Sequence, residues 1–147
     1  MMTLVSKALG AAAVAVIAPL VVAGSAAAEP YAQLPEVPVV VSPTCAGTTS
    51  AEAMVTPLQD GDRVESGVRV AIYFSSPNRD GSCAETVTAT WTNLDTGATG
   101  TQDIIVVSII DQHYWFGGYN RAEFWTGAGT VVVTVSTHPG AELVVTV

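Results

Sequence analysis

The chain has 147 residues, of which 49% are hydrophobic and 12% charged, and its formal net charge at pH 7 is −8. Thirteen carboxylates outnumber five basic residues, so the chain lacks the clustered lysines and arginines that bind phosphate backbones or anionic lipid headgroups. This balance argues against nucleic acid as a partner and disfavours docking on an anionic membrane surface.

The first 28 residues have the pattern of a secretory signal peptide. Lys7 precedes an apolar run over residues 8–24, and an A-x-A pattern ends at Ala28. Cleavage there leaves residues 29–147, with four arginines against thirteen carboxylates and a net charge of −9. The alternative is a retained membrane anchor, because the apolar stretch is about long enough to span a bilayer. The small residues before the cleavage pattern favour removal. We therefore expect a secreted or envelope-associated protein without stable membrane insertion.

Two cysteines, Cys45 and Cys83, remain in the exported chain and have one possible pairing. A bridge between them should stabilise the fold by about 4 kcal/mol on the chain-entropy estimate. The alternative, a reactive thiol or a metal pair, has no C-x-x-C spacing and no nearby histidine to support it. We predict one structural disulfide.

Prolines are concentrated at the start of the mature chain, at Pro30, Pro35, Pro38 and Pro43. Because proline cannot donate to a central ladder, we predict that residues 29–46 form an extended lead-in or an edge strand. The stretch GTTSAEAMVTP, residues 47–57, fits either a short helix capped by Ser50 or a strand, and we favour the strand. The folded domain is expected to occupy residues 47–147.

Alternation of apolar and polar residues predicts strands along the rest of the chain. In VESGVRVAIYFSS one face holds Val68, Val70, Ile72 and Phe74, and the other holds Arg69, Ala71 and Tyr73. In ETVTATWTN, Val87, Ala89 and Trp91 alternate with threonines. A period of two with one apolar face is typical of antiparallel strands that are half buried.

The C-terminal half contributes further predicted strands. TQDIIVVSII is apolar on both faces towards its end, which predicts a central strand, and the turn signal HPG separates TVVVTVST from AELVVTV. Seven or eight short strands without helical periodicity predict one all-β domain, an antiparallel β-sandwich of Greek-key type. A small closed barrel is the alternative.

The segment TPLQDGDRVESGVRVAIYF, residues 56–74, resembles the opening of bacterial immunoglobulin-like and fibronectin type III-like modules. In such modules a proline, a D-G turn and a glycine lead into a V-x-V strand, and Pro57, Asp60–Gly61 and Gly67 match this pattern here. Trp91 also suits such modules. Antibody-type domains differ, because their tryptophan lies between the paired cysteines, whereas Trp91 follows Cys83. The resemblance implies an immunoglobulin-like sandwich and no particular activity. The chain is also similar to small exported actinobacterial proteins of undefined role, which implies a location only.

Catalytic and metal-binding signals are sparse. The chain has no G-x-S-x-G motif, but Asp111, His113 and His138, with Glu123, could converge as the site of a small metal-assisted hydrolase. None of these residues shows a ligand-like spacing.

Two acidic turns and one glycine-rich turn are further candidate ligand sites. Calcium could be held by Asp60, Asp62 and Glu65, or by Asn78 and Asp80, although both stretches are ordinary turn sequences. The glycines of TGAGT precede strand-like valines, which indicates a hairpin turn and not a nucleotide loop. We predict no catalytic residue, no metal ligand and no cofactor.

The segment HYWFGGYNRAEFW, residues 113–125, holds six of the ten aromatic residues of the chain. If it is extended around its glycines, Ala122 and Phe124 share one face, while Arg121, Glu123 and Trp125 share the other. Charged groups are rarely buried unpaired, so this second face is expected to be partly exposed. The predicted contact surface consists of Tyr114, Trp115, Tyr119, Arg121 and Trp125.

An alternative interpretation places the same tryptophans in the core. Trp115 and Trp125 would then close one end of the sandwich, with Arg121 over a ring as a cation–π partner. The function favoured by the sequence is a secreted, non-enzymatic binding or cell-envelope interaction module, with an envelope polysaccharide or another extracellular protein as partner. The other candidates are the metal-assisted hydrolase and a purely structural envelope component.

Overall fold

The computed structural model describes residues 29–111 and 117–147, and these residues form an antiparallel β-sandwich. Sheet 1 has the strand order β1-β2-β3-β6 and sheet 2 the order β5-β4-β7-β8. The strands are β1 (Tyr31–Ser42), β2 (Cys45–Asp60), β3 (Arg63–Ser75), β4 (Ala84–Asn93), β5 (Thr99–Val107), β6 (Tyr119–Phe124), β7 (Thr130–Val135) and β8 (Leu143–Thr146). The predicted all-β sandwich is confirmed. No helix long and apolar enough to cross a membrane occurs in the described part of the chain.

The hydrophobic core lies between the inner faces of the two sheets. The apolar positions predicted from alternation on β3 and β4 are buried there, and Trp91 packs against Phe124 with ring centroids 6.2 Å apart. Gly100 pairs with Trp91 across β4 and β5. A Cβ atom at Gly100 would collide with the indole ring, so glycine at this position gives the tryptophan its space.

The disulfide joins Cys45, at the start of β2 in sheet 1, to Cys83, directly before β4 in sheet 2. Both cysteines are buried. The predicted pairing is confirmed, and it links the two layers of the sandwich.

The two sheets also meet along their edges. The Gly118 amide donates to the Val107 carbonyl at 2.6 Å, and the Asn120 side chain donates to the Ile105 carbonyl. At the opposite edge the Thr146 amide donates to the Glu29 carbonyl at 3.2 Å. These bonds close the sides locally, while the strand pairing remains that of two separate sheets and not of a barrel.

The N-terminal half of the chain behaves largely as its composition predicts. The proline-containing segment forms β1, an edge strand with an irregularity between Leu34 and Val37, beside Pro35. The ambiguous stretch after it belongs to β2 and is a strand, with Ala51 and Ala53 buried.

The prediction that TQDIIVVSII forms a central strand is wrong. β5 is an edge strand of sheet 2 and pairs only with β4 among the described strands. Ile104 and Val106 point inward and are buried, whereas Ile105 on the outer side is 58% exposed. The central position belongs to the threonine-rich β4, because backbone pairing, and not side-chain hydrophobicity on both faces, decides which strand is central.

Candidate functional site

The outer side of sheet 1 carries a group of aromatic and charged side chains that we call the tyrosine face. Strand register places Tyr73 opposite Tyr119, and Arg69 opposite Glu123, on β3 and β6. Because every second residue of a strand points outward, these side chains share one surface. The face comprises Tyr31, Glu52, Arg69, Tyr73, Tyr119, Arg121 and Glu123, with Arg63 and Trp125 at one end.

Glu52 organises the tyrosines at the centre of this face. The Tyr31 hydroxyl donates to Glu52 Oε2 at 2.9 Å, and the Tyr73 hydroxyl donates to Glu52 Oε1 at 2.8 Å. Partial burial of Tyr73 and its hydrogen bond to Glu52 raise the pKa of the phenol to about 12. Tyr73 therefore stays protonated at neutral pH and remains a donor to Glu52.

The tyrosine rings are accessible from outside. Tyr73 and Tyr119 are in contact, with ring centroids 5.1 Å apart and planes inclined by 45°. Tyr31, Tyr73 and Tyr119 are each about two-fifths exposed. Exposed rings held by hydrogen bonds and mutual contact present a large apolar area in one orientation.

The charges on the tyrosine face neutralise one another. Glu123 is 3.1 Å from the Arg69 guanidinium and 3.5 Å from that of Arg121. These two arginines balance Glu52 and Glu123. The centre of the face therefore has no net charge, although the chain as a whole carries a formal net charge of −8 at pH 7.

Trp125 extends the face beyond the end of β6. The Arg63 guanidinium lies 4.9 Å from the centre of the Trp125 ring, within cation–π range, and also forms a two-pronged ion pair with Glu65. Trp125 is 38% exposed, whereas Trp91 in the core is 8% exposed. The cation–π partner of Trp125 is thus Arg63.

The structure brings together those predicted contact residues that it describes. Tyr119, Arg121 and Trp125 lie on the tyrosine face, whereas Tyr114, Trp115 and His113 lie outside the described residues. Sequence reasoning missed Tyr31 and Glu52. The contact between Tyr31 and Glu52 depends on the pairing of β1 with β2, and no short-range sequence pattern predicts that register.

Of the residues predicted for metal-assisted catalysis, those that the structure describes are engaged with separate partners. Asp111 forms an ion pair with Arg79. His138 is buried, and its Nε2 lies 2.8 Å from the Pro35 carbonyl oxygen. Because a carbonyl only accepts, Nε2 carries the proton that is donated there.

In the turns predicted as alternatives for calcium, two of the acidic side chains accept hydrogen bonds from neighbouring residues. Glu65 accepts from Arg63, and Asp80 Oδ1 accepts from the amide and hydroxyl of Ser82. Over residues 29–111 and 117–147, no group of three or more His, Cys, Asp or Glu side chains is placed to hold a metal ion.

One buried acidic residue stands apart from this surface. Glu85 points inward from β4 and is 3% exposed; Thr49 donates to its Oε1 at 2.5 Å, and its Oε2 has no hydrogen-bond partner among the described groups. Burial raises the pKa of Glu85, against smaller lowering effects of the Thr49 bond and of His138. Glu85 was not singled out from the sequence, although its position two residues before Val87 in ETVTATWTN gives it the same side of the strand.

Comparisons of the chain with protein-family models, with curated proteins and with solved structures found no match. The tyrosine face is an exposed aromatic surface with hydrogen-bonded and ion-paired polar groups, and this geometry is suited to contact with a partner.

Proposed function

We propose that the protein is an exported, non-enzymatic binding module of the cell envelope and that the tyrosine face is its contact surface. The observation that supports this most is the gathering of four partly exposed aromatic side chains, Tyr31, Tyr73, Tyr119 and Trp125, on one side of one sheet. Tyrosine, tryptophan and arginine are the residues that dominate binding surfaces. Their hydrogen bonds and ion pairs fix them before binding, which reduces the entropy lost on association.

Export is the second part of the proposal. It is supported by the signal-peptide pattern of residues 1–28 and by the closed disulfide, since disulfides persist in oxidising compartments. We expect mass spectrometry of protein recovered from the culture medium or the cell wall to show an N-terminus at Glu29 and no free thiol. Two free thiols in the exported protein would contradict this.

The immunoglobulin-like architecture is also a proposal. It is supported by the pairing order, because β2, β3 and β6 form one sheet in the manner of strands A, B and E. β4, β7 and β8 form the other sheet in the manner of strands C, F and G, and the buried Trp91 lies on β4, where such domains carry their core tryptophan.

The contact surface is tested by a pair of exposed hydrophobic residues on opposite sheets. The purified protein is immobilised and exposed to solubilised cell-wall material and to culture supernatant, and tryptophan fluorescence is followed in parallel. Trp125→Ala should weaken binding by about tenfold or more, because hot-spot residues carry most of the binding energy. Ile105→Ala, on the outer side of sheet 2, is the matched control and should bind as the native protein does.

The result distinguishes the three candidate roles. Equal binding by both variants would place the contact elsewhere, and the absence of any bound component would favour a purely structural role. Unfolding of Trp125→Ala would instead support the core interpretation of this tryptophan. A bound metal together with hydrolytic activity would favour the enzyme.

A further inference from the structure

We infer that the partner of the tyrosine face is a neutral, extended polysaccharide, one sugar unit of which occupies the cleft beside Tyr73. This inference rests on the proposed function, because it names the partner class of the same surface. It follows from the size of the face, its charge and the composition of the cleft.

The face is too small for a standard protein interface. Four strands about 4.8 Å apart, over roughly six residues at 3.3 Å each, present on the order of 400 Å². Stable protein complexes, including a dimer of this chain, bury about 800 Å² on each partner. An extended polysaccharide crosses such a surface as a single narrow chain, and it therefore needs a smaller contact area than a folded protein does.

The middle of the face is flat. Ala71 points outward between Glu52 and Arg121 in the strand register, yet it is only 1% exposed. The longer side chains around it therefore cover it and leave no hollow at this point. A flat aromatic surface suits a ligand that lies along it, whereas compact small molecules require concave sites.

A cleft of about 180 Å³ lies beside Tyr73, at the end of the face away from Trp125. Its lining includes the hydroxyl residues Thr48, Ser50 and Ser75, together with Glu36. This volume is below the roughly 300–1,000 Å³ of sites for drug-sized molecules, and it corresponds to a single ring. Hydroxyls and a carboxylate beside an aromatic side chain supply the donors and acceptors that a sugar ring needs.

The charge distribution selects a neutral polymer. Arg69 and Arg121 are paired with Glu123, and the charges at the centre of the face cancel. The mature chain carries a net charge of −9, so it repels polyphosphates and polyuronates at long range. An uncharged glycan is not repelled by the net charge of the protein.

The inference is tested by native affinity electrophoresis of the exported protein in gels that contain mannan, α-glucan, β-glucan, galactan or arabinan, with polygalacturonate as the anionic comparison. We expect at least one neutral polymer to retard the protein. Tyr73→Ala should weaken this retardation about tenfold or more. Tyr73→Phe, which keeps the ring, should retain most of it, and Thr101→Ala on sheet 2 should retain all of it.

Each variant is first compared with the native protein by its urea unfolding midpoint, and Tyr119→Ala replaces Tyr73→Ala if the latter does not fold. Retardation by none of the neutral polymers, equal retardation of the alanine variant, or a preference for polygalacturonate would overturn the inference. A third outcome is that the native protein binds a protein ligand but no glycan, and that Trp125→Ala no longer binds this ligand. The inferred polysaccharide partner would then be wrong, while the tyrosine face would remain the contact surface. If Trp125→Ala affects no binding at all, the proposed function itself fails.

Discussion

Glu52 on the tyrosine face and Glu85 in the interior differ in how many of their carboxylate oxygens have a hydrogen-bond partner. Both oxygens of Glu52 accept a phenol hydrogen, although the residue is only half-buried. Glu85 is almost fully buried, yet only one of its oxygens has a partner. The polar network is thus more complete at the surface than in the core, which is the reverse of what stability alone would favour.

This difference separates two roles. A partly exposed carboxylate gains little stability from two phenol hydrogen bonds, so the order around Glu52 is better suited to presenting the tyrosines to a partner. Burial raises the pKa of the Glu85 carboxyl, and this makes the stability of the fold sensitive to pH instead. We therefore expect binding to depend on the tyrosine face and the pH dependence of stability to depend on the interior.

The largest expected effect tests whether stability resides in the core and not on the face. Trp91→Ala should lower the free energy of unfolding by about 3–5 kcal/mol, because it leaves a large cavity against Phe124. Trp125→Ala should lower it by about 1 kcal/mol or less, since its ring is already partly in water. Urea denaturation measures both free energies of unfolding. Equal decreases in the two variants would contradict the view that stability resides in the core and not on the tyrosine face.

The second prediction concerns Glu85→Gln. Because the folded-state pKa of Glu85 is raised above its unfolded value, its contribution is present below the unfolded pKa and is lost as pH rises through the folded pKa. Glutamine does not ionise, so the variant does not lose stability in this way. Its free energy of unfolding at pH 7 should be higher than that of the native protein by about 1–3 kcal/mol.

The pH profile of Glu85→Gln provides the sharper readout. Its stability should fall less than that of the native protein as the pH rises from about 4 to 7. Glu142→Gln, at an exposed site, removes the same charge and should leave the native profile unchanged. A parallel profile for Glu85→Gln and the native protein would show that Glu85 is not the source of the pH dependence.

A smaller effect should appear on the tyrosine face at alkaline pH. The pKa of Tyr73 is raised to about 12, and hydrogen bonding to Glu52 also raises the pKa of Tyr31, so phenolate absorbance should show late ionisations, of which Tyr73→Phe removes the Tyr73 contribution. The stability that Tyr73 contributes is present below the unfolded pKa near 10 and is lost as pH rises towards 12. Glu52→Gln should move the late ionisation to lower pH, because it removes the negative charge that opposes the phenolate. An unchanged titration would argue against the Tyr73–Glu52 contact.

The smallest effect is expected on the outer side of sheet 2. Thr90→Val removes a hydroxyl contact with Thr101 at 3.0 Å on an exposed, threonine-rich surface. The free energy of unfolding should change by no more than about 0.5 kcal/mol, and glycan binding should not change. A clear loss of binding in Thr90→Val would move the contact surface to sheet 2.

Several features of the fold were predictable from the sequence because they depend on local periodicity. Alternation assigned the inner faces of β3 and β4, including Phe74 and Trp91, and proline content assigned β1 to an edge. The edge position of β5 was not predictable, because side-chain hydrophobicity does not show whether a strand pairs with one neighbouring strand or with two.

The candidate site was predictable only in part. Alternation placed Arg121, Glu123 and Trp125 on one side of β6, and the structure confirms that they share a surface. The partners of this surface from β1 and β2, Tyr31 and Glu52, are separated from it by more than sixty positions in the sequence. Only strand register brings residues so distant into contact.

The sequence by itself determined the class of fold, the composition of the core and the single disulfide, because the alternation of side chains and the cysteine count are properties of the chain. Tertiary structure decided that Glu52 binds two tyrosines, that Arg63 lies over Trp125 and that Glu85 retains an unpaired oxygen. The physical reason is that these contacts arise from strand pairing and sheet packing, which depend on the global arrangement of all strands.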